Sequence, residues 1–497
     1  MFRAVDYQQL KRLFFAFVLP SVGAQLLSGI YLITDGFFIG IGAGSAGLAA
    51  EGLAYPFTVF VTAIGAGIGV GGGALMSTSI GRGRNELAER ILGTMVFMMV
   101  CASVLTCALF TFACGPLLAL FGVSAEVGAL ALVYARILLI CSPFQVFTMG
   151  LLGAVRNDGF PRKAMVVMVE GFLINIFCGW LFVIEFRWGV AGGAWATVVA
   201  QLFTSVSFAS HFLTGRSHVK LRLANLRPVK QICARIVSMG ISPLGVQIAM
   251  AVSMLMHNWQ ALAWGGDLGV AAYAVVSYIV PIGVMLQEGI AEGMQPLMSF
   301  YYGANLSARR RITARFGFLT AVTIGVSCSY LLYVTAPYIP SFFSLTGEPA
   351  RVAARGLLLS LGMFPLMGLA KVGASCFQSV GRLRGAAILT YGDPLLLQPL
   401  FLWTLPLFFG LDGVWLAMTF TNIALAAIFG IMWHKAASLR LPSVGVFGEE
   451  EDEQGPEEAS AKEVLVGYGD VKAIRGEGRC LQVRNLKELT KRSQPLS

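Results

Sequence analysis

The sequence predicts an all-α membrane protein of twelve transmembrane helices, arranged as two six-helix lobes in parallel tandem repeat around a central cleft. Three observations predict it. Of 497 residues 56% are hydrophobic and 12% charged, and the apolar residues gather in windows long enough to cross a bilayer. Basic residues crowd alternate connections between those windows. The chain also aligns with itself at a shift of 222 residues.

The windows run over about 13–40, 50–78, 91–120, 131–155, 163–185, 190–213, 236–264, 270–300, 312–343, 356–380, 386–409 and 412–434. The first is too long for a signal peptide and lacks a small-residue cleavage site, so it is expected to stay as a helix. Arg3, Lys11 and Arg12, then Arg82, Arg84 and Arg90, Arg156, Arg162 and Lys163, the 214–235 stretch, Arg309–Arg311 with Arg315, and Arg382 with Arg384 fall on one side. That side and both termini are expected to be cytoplasmic. The +10 net charge therefore reads as topology, and no nucleic-acid partner is implied. Nine cysteines, none spaced CxxC, suggest neither a disulfide framework nor a zinc site. Beyond residue 440 the EEEDE and EE runs and the scarcity of apolar residues predict a disordered cytoplasmic tail, 441–497, with room for a short amphipathic helix near 480–492.

The 222-residue shift places LMSTSIG (75–81) on LMSFYYG (297–303), Gly71 on Gly293, Phe121 and Glu126 on Phe343 and Glu348, and Gly159 on Gly381. The expected domains are a first lobe over 1–213, a basic linker over 214–235 and a second lobe over 236–440. Six helices are an even number, so both lobes insert in the same sense, as in parallel-repeat transporters. In GAGIGVGGG (65–73), Gly65, Gly69 and Gly73 recur every four residues with no strand before them. That is a face for close helix packing rather than a phosphate-cradling loop.

Carboxylates inside apolar windows cost about 2.5–3.5 kcal/mol each at a helix centre, so each needs a reason. The candidates are Asp35, Glu170, Glu288, Glu292 and Asp393. Glu288 and Glu292 share one helix face and have no acidic counterpart in the first half; Lys371 offers them a structural partner. Asp35 maps onto His257, which puts a titratable group at the same place in each half. A lone histidine is more often a hydrogen-bonded interior residue than a proton carrier.

The blocks LPSVGAQLLSGIYLITDGFFIG, MSTSIGRGRNELAERI, NIFCGWLFVIEFRWGVAGGAWATVVAQ and EGMQPLMSFYYGA resemble the bacterial multidrug and toxic compound extrusion (MATE) family over roughly residues 10–437. The resemblance implies a plasma-membrane exporter of organic cations, working by alternating access against inward proton or sodium flow, with no other cofactor and no obligate protein partner. It implies a coupling site at Asp35, Asn175 and Thr197, which could hold Na+, and a bend of the first helix at Pro20. Gly179 stands where the family carries a second aspartate, four residues after Asn175, so coupling is expected to lean toward protons. Glu170, turned about 140° from Asn175, is a poor substitute. Gln25, His257, Glu288, Glu292 and Lys371 are candidates for the substrate cavity. For Asn175 and Thr197 the structural alternative is interhelical hydrogen bonding worth about 0.6 kcal/mol each.

A lipid-linked oligosaccharide flippase of the same superfamily is the alternative, but its pyrophosphate cargo would favour interior cations over the five interior acids. A membrane enzyme would need a nucleophile with a base, or a metal cluster, and the sequence shows no HExxH and no spaced His/Cys set. With Arg12 at the interface, Asp35 lies 23 residues further, about 35 Å along a straight helix, which leaves it either in water at the far boundary or, with bend and tilt, in the outer half of a first-lobe cavity.

Overall fold

The computed structural model describes residues 7–119, 125–215, 217–342 and 345–438, all within one compact unit, Met1–Pro456. The Phe121–Phe343 correspondence, the tail 441–497 and its short helix lie outside the described residues. A second unit, Glu457–Ser497, lies there too.

No strand occurs among the described residues, as the long apolar windows require. Helix α1 (Tyr7–Gly44) and helix α2 (Ala46–Gly81) are parted at Gly44, whose φ of 62° only glycine adopts at low cost. Helices α3 (Asn85–Ala119), α4 (Ala125–Ile140), α5 (Ser142–Asn157), α6 (Pro161–Gly179) and α7 (Gly189–Leu213) complete the first half. α6 runs on through one π-helical turn, Trp180–Glu185. The second half holds α8 (230–265) and α9 (267–303), parted at Gly266 with φ 57°. It continues with α10 (Ser307–Thr335), α11 (Gly347–Leu359), α12 (Met363–Ser379), α13 (Leu383–Gly392), α14 (Gln398–Thr404) and α15 (Leu411–Ser438). Pro20 sits inside α1, and the non-helical backbone of the 7–81 stretch comes at Gly44.

By length and composition the described residues give eight crossing helices, or ten when α4 with α5 (bent by 54°) and α11 with α12 (bent by 47°) each count as one. The sequence windows numbered twelve. One difference is the stretch Lys230–Gly303, which runs on either side of Gly266. The other is the 386–409 window, cut into α13, a π-helical turn Asp393–Leu397, α14 and the four-residue Pro406–Phe409. Pro394, Pro399 and Pro406 each remove a helix donor there.

The repeat is written in the backbone. Gly44 and Gly266 are 222 residues apart, as are Gly159 and Gly381 and also Gly83 and Asn305, and every one of these six residues has positive φ. Asn305 is the residue type that best tolerates that region after glycine.

The halves meet where α1 and α2 cross α8 and α9, and the meeting is also repeated. A Cβ on Gly71 would stand 3.0 Å from the Cα of Gly240, and one on Gly293 would stand 2.7 Å from the Cα of Val18, each pair carried into the other by the same shift. Gly81 is pressed against Phe300 and Gly303 against Thr78 in the same exchanged way. Gly65, Gly69 and Gly73 serve the neighbouring contact, where Cβ atoms would stand 2.8 Å from Val146 O, 2.6 Å from Gly150 O and 2.6 Å from Asn157 Nδ2. The glycine face thus brings α2 against α5.

The basic linker is strapped to the first half. Asp158, wholly buried in the α5–α6 turn, accepts hydrogen bonds from His211 Nε2 at 2.8 Å and from the His218 backbone N–H at 3.3 Å. Lys163 Nζ donates to His211 Nδ1 at 3.1 Å, and His218 Nδ1 donates to the Asp158 carbonyl at 2.8 Å. Arg222 pairs with Glu89 of α3 at 3.0 Å, and Asn225 fills the space that Gly93 leaves open.

Candidate functional site

Asp35 is buried, 6% exposed, and its neighbours come from four helices. Tyr134 Oη of α4 donates to Asp35 Oδ2 at 3.1 Å, and Thr197 Oγ1 of α7 donates to the same oxygen at 3.4 Å. Asn175 of α6 donates through Nδ2 to Thr197 Oγ1 at 3.5 Å and to Tyr31 Oη at 3.2 Å. Tyr31 lies one helical turn before Asp35, so both project from one face of α1. The glycine pair in GVAGGAWAT permits this closeness: a Cβ on Gly193 would stand 2.7 Å from Ile39, and its position is 4.0 Å from Asp35 Oδ1.

The charge balance is one-sided. Both donors to Asp35 are neutral hydroxyls, and among the described residues Asp35 forms no ion pair with Lys, Arg or His. Asn175 Oδ1 is buried without a hydrogen-bond partner. A carboxylate, an amide oxygen and a hydroxyl oxygen together are the hard ligands a proton or an alkali cation needs. Among the described residues no three His, Cys, Asp or Glu side chains cluster to hold a metal ion, so a cation here would rest on the asparagine and threonine as well.

Two neighbours of Asp35 are not visible as site residues in the sequence. Tyr134 is one of 13 tyrosines, and nothing in its spacing marks it. Glu51 stands at the edge of an apolar window and reads as a connection residue, yet it lies at the head of α2 with Oε2 3.7 Å from where a Gly36 Cβ would be. The charge of Asp35 reaches Glu51, and the charge of Glu51 reaches Tyr31 and Tyr134. At Gly179 a Cβ would stand 2.8 Å from the Phe38 ring.

The other candidates divide into separate groups. His257 is 1% exposed; its Nδ1 donates to Ser253 O at 2.9 Å, and its Nε2 has no partner. Its ring lies parallel to Tyr273, 5.8 Å away, and Tyr273 stacks in turn on Trp415 at 6.2 Å. The second half therefore places neutral aromatic rings where the first has acids, since the shift carries Asp35 to His257 and Glu51 to Tyr273. Glu288 of α9 pairs with Lys371 of α12 at 2.7 Å. Glu292 pairs instead with Arg156 of α5. Asp393 is half-buried within reach of the Lys371 charge, whereas Glu170 and Arg136 are exposed. Gln25 is half-buried, ten residues before Asp35 and so about 15 Å away along α1.

A helical bundle of two repeated halves, carrying an unpaired interior carboxylate, defines a polytopic membrane transporter. The chain belongs to the MATE family: it matches the family described as MatE over residues 20–181 and 232–398. It is similar to Multidrug export protein MepA of Staphylococcus saprophyticus subsp. saprophyticus, 25% identical over 414 residues, which is 83% of this chain and 91% of the relative. MepA of Staphylococcus aureus is 23% identical over 398 residues, 80% of this chain and 88% of that one. In fold it resembles a MOP superfamily transporter from Pyrococcus furiosus, with a TM-score of 0.82 at 23% identity over 88% of this chain and 99% of the other. A multidrug resistance MATE transporter solved in an outward-facing conformation gives a TM-score of 0.81 at 24% identity, over 88% and 98%.

Proposed function

We propose that the protein exports organic cations from the cell by alternating access, driven by inward flow of a monovalent cation that binds at Asp35, Asn175 and Thr197. The observation that carries this reading is a buried carboxylate whose hydrogen-bond donors are both neutral. An uncompensated acid in an apolar interior is costly, so its use is to take up a mobile cation. Proton or sodium and the organic cation then oppose each other, because linkage between two ligands is reciprocal. The export of drugs by relatives named MepA supports the substrate class. The Lys and Arg asymmetry supports cytoplasmic termini in the plasma membrane.

The flippase reading is not favoured, because the interior cations Arg156 and Lys371 are each paired, with Glu292 and Glu288, and so are not open to a pyrophosphate. The test is uptake of ethidium into proteoliposomes under an imposed proton gradient without sodium, and under a sodium gradient at fixed pH. Asp35→Asn keeps the shape and removes the charge, and should lower gradient-driven uptake at least tenfold with normal insertion. Wild-type uptake by Asp35→Asn would refute the proposal.

A further inference from the structure

We infer that Glu51 is the second carboxylate of the coupling site, standing in from α2 for the acid that Gly179 does not supply from α6. This rests on the reading of Asp35 given above and adds a residue to it.

The first ground is space. At Gly179 the phenyl ring of Phe38, itself 8% exposed, fills the room a side chain would need, with Cδ2 2.8 Å and Cε2 3.1 Å from the Cβ position. A carboxylate on that turn of α6 would have to displace the ring. Next to Asp35, Gly36 has no side chain, and Glu51 Oε2 comes within 3.7 Å of its Cβ position. A Cβ at 36 would be in ordinary contact with Glu51 and with Leu48, 3.8 Å away.

The second ground is an acceptor without a donor. Asn175 is 1% exposed, spends its Nδ2 on Tyr31 and Thr197, and keeps Oδ1 buried and unpartnered. A lone buried amide oxygen costs about 1–3 kcal/mol unless something positive meets it. Glu51 lies against the residue next to Asp35, and the two carboxylates repel unless a proton or an alkali cation offsets their charge. The groups bonded to Asp35 or reached by the charge of either acid are Tyr31 from α1, Tyr134 from α4 and Thr197 from α7, with Asn175 of α6 bonded to Thr197 and Tyr55 of α2 reached by Glu51. None of these carries a positive charge. One monovalent cation shared between Asp35 and Glu51, with Asn175 Oδ1 as a further ligand, answers both costs at once.

The third ground is the repeat. The residue 222 positions after Glu51 is Tyr273, which stacks on His257, so the second half builds no carboxylate pair at the corresponding place. The pair is a feature of the first half.

The test uses proteoliposomes of the full chain with ethidium as the organic cation, comparing gradient-driven uptake with gradient-free ethidium exchange. Glu51→Gln should lower uptake under the effective gradient at least tenfold, with a smaller loss of gradient-free exchange, and Glu51→Asp should recover at least a third of the rate. Sensitivity in the sodium arm identifies the shared cation as Na+; sensitivity in the sodium-free proton arm identifies it as H+. Wild-type gradient response in Glu51→Gln, alongside a dead Asp35→Asn, overturns the role of Glu51 and leaves that of Asp35 intact. Equal loss of exchange and gradient-driven uptake, with Glu51→Asp no better than Glu51→Gln, assigns Glu51 a structural part and also overturns the inference. Normal uptake by Asp35→Asn refutes the underlying reading instead.

Discussion

Arg156 on α5 and Glu292 on α9 form an ion pair that joins the first half of the chain to the second. One residue on, Asn157 Nδ2 donates to Gln295 Oε1 at 3.1 Å, so two successive residues of α5 meet α9. The guanidinium is nearly enclosed, with its side chain 7% exposed, while the carboxylate keeps 34% of its surface open.

Removing one partner should therefore cost more than removing both. Arg156→Gln strands a partly buried carboxylate and should lower stability by about 1–3 kcal/mol. Arg156→Gln with Glu292→Gln should recover most of that loss, since the lone charge is gone. Thermal unfolding of the purified protein in detergent reads both. A double variant as unstable as the sum of the single ones would show that the pair is not coupled.

Tyr134→Phe deletes the hydroxyl that donates to Asp35 Oδ2 and keeps the ring. A net hydrogen bond of about 0.5–1.5 kcal/mol to the site corresponds to a change of about twofold to twelvefold in the coupling-cation concentration at half-maximal ethidium uptake. The maximal rate should change less. An unchanged half-maximal concentration would separate Tyr134 from the coupling chemistry.

The exchanged glycine contacts give a packing prediction. Gly71→Leu forces a branched side chain into Ile236 and Gly240, and Gly293→Leu forces one into Phe17 and Val18. Each should cost at least the 1–3 kcal/mol typical of overpacking, because backbone cannot step aside as a side chain can. Gly52→Leu, with no atom near its Cβ position, is the control and should fold normally. Equal melting temperatures for Gly71→Leu and Gly52→Leu would argue against the close approach.

For topology, Lys220→Cys is the useful probe, because Lys220 is exposed while Ser217 beside it is buried and donates to Val219 O at 2.6 Å. A cysteine at 217 would resist reagents from either side. Impermeant maleimide added to intact cells should leave Lys220→Cys unlabelled and should label it after permeabilisation. Ready labelling in intact cells would reverse the orientation taken from the Lys and Arg asymmetry.

Much of this architecture can be read from residue order alone, for physical reasons. Lipid forces long apolar windows, and the 222-residue repeat shows in the glycines favoured where φ is positive or helices touch. Asp35 stands out because acids are rare in such windows, whereas Asn175 and Thr197 are marked only by the resemblance to the MATE family. Glu51 does not stand out, because an acid at a window edge looks like any solvated connection residue. Arg156 reads as one more basic residue of a connection, and only the fold shows it turned inward onto Glu292. Lys371 and Glu288 can be paired in advance by charge; the choice of Arg156 over Lys371 by Glu292 depends on how α5 crosses α9, which no spacing encodes.

The strapping of residues 217–226 onto the first half changes what the connection between the halves can do. The stretch reads as a leash of some twenty residues, yet His218, Arg222 and Asn225 are all fastened to the first half before α8 begins at Lys230. What stays free is 227–229, with Arg227 and Val229 in extended backbone on either side of Pro228. Three extended residues reach about 10 Å and flex at few bonds. The joint between the strapped stretch and α8 is thus only three residues long, and drawing the chain away from the first half there would first have to unbuckle Asp158 from its two histidines.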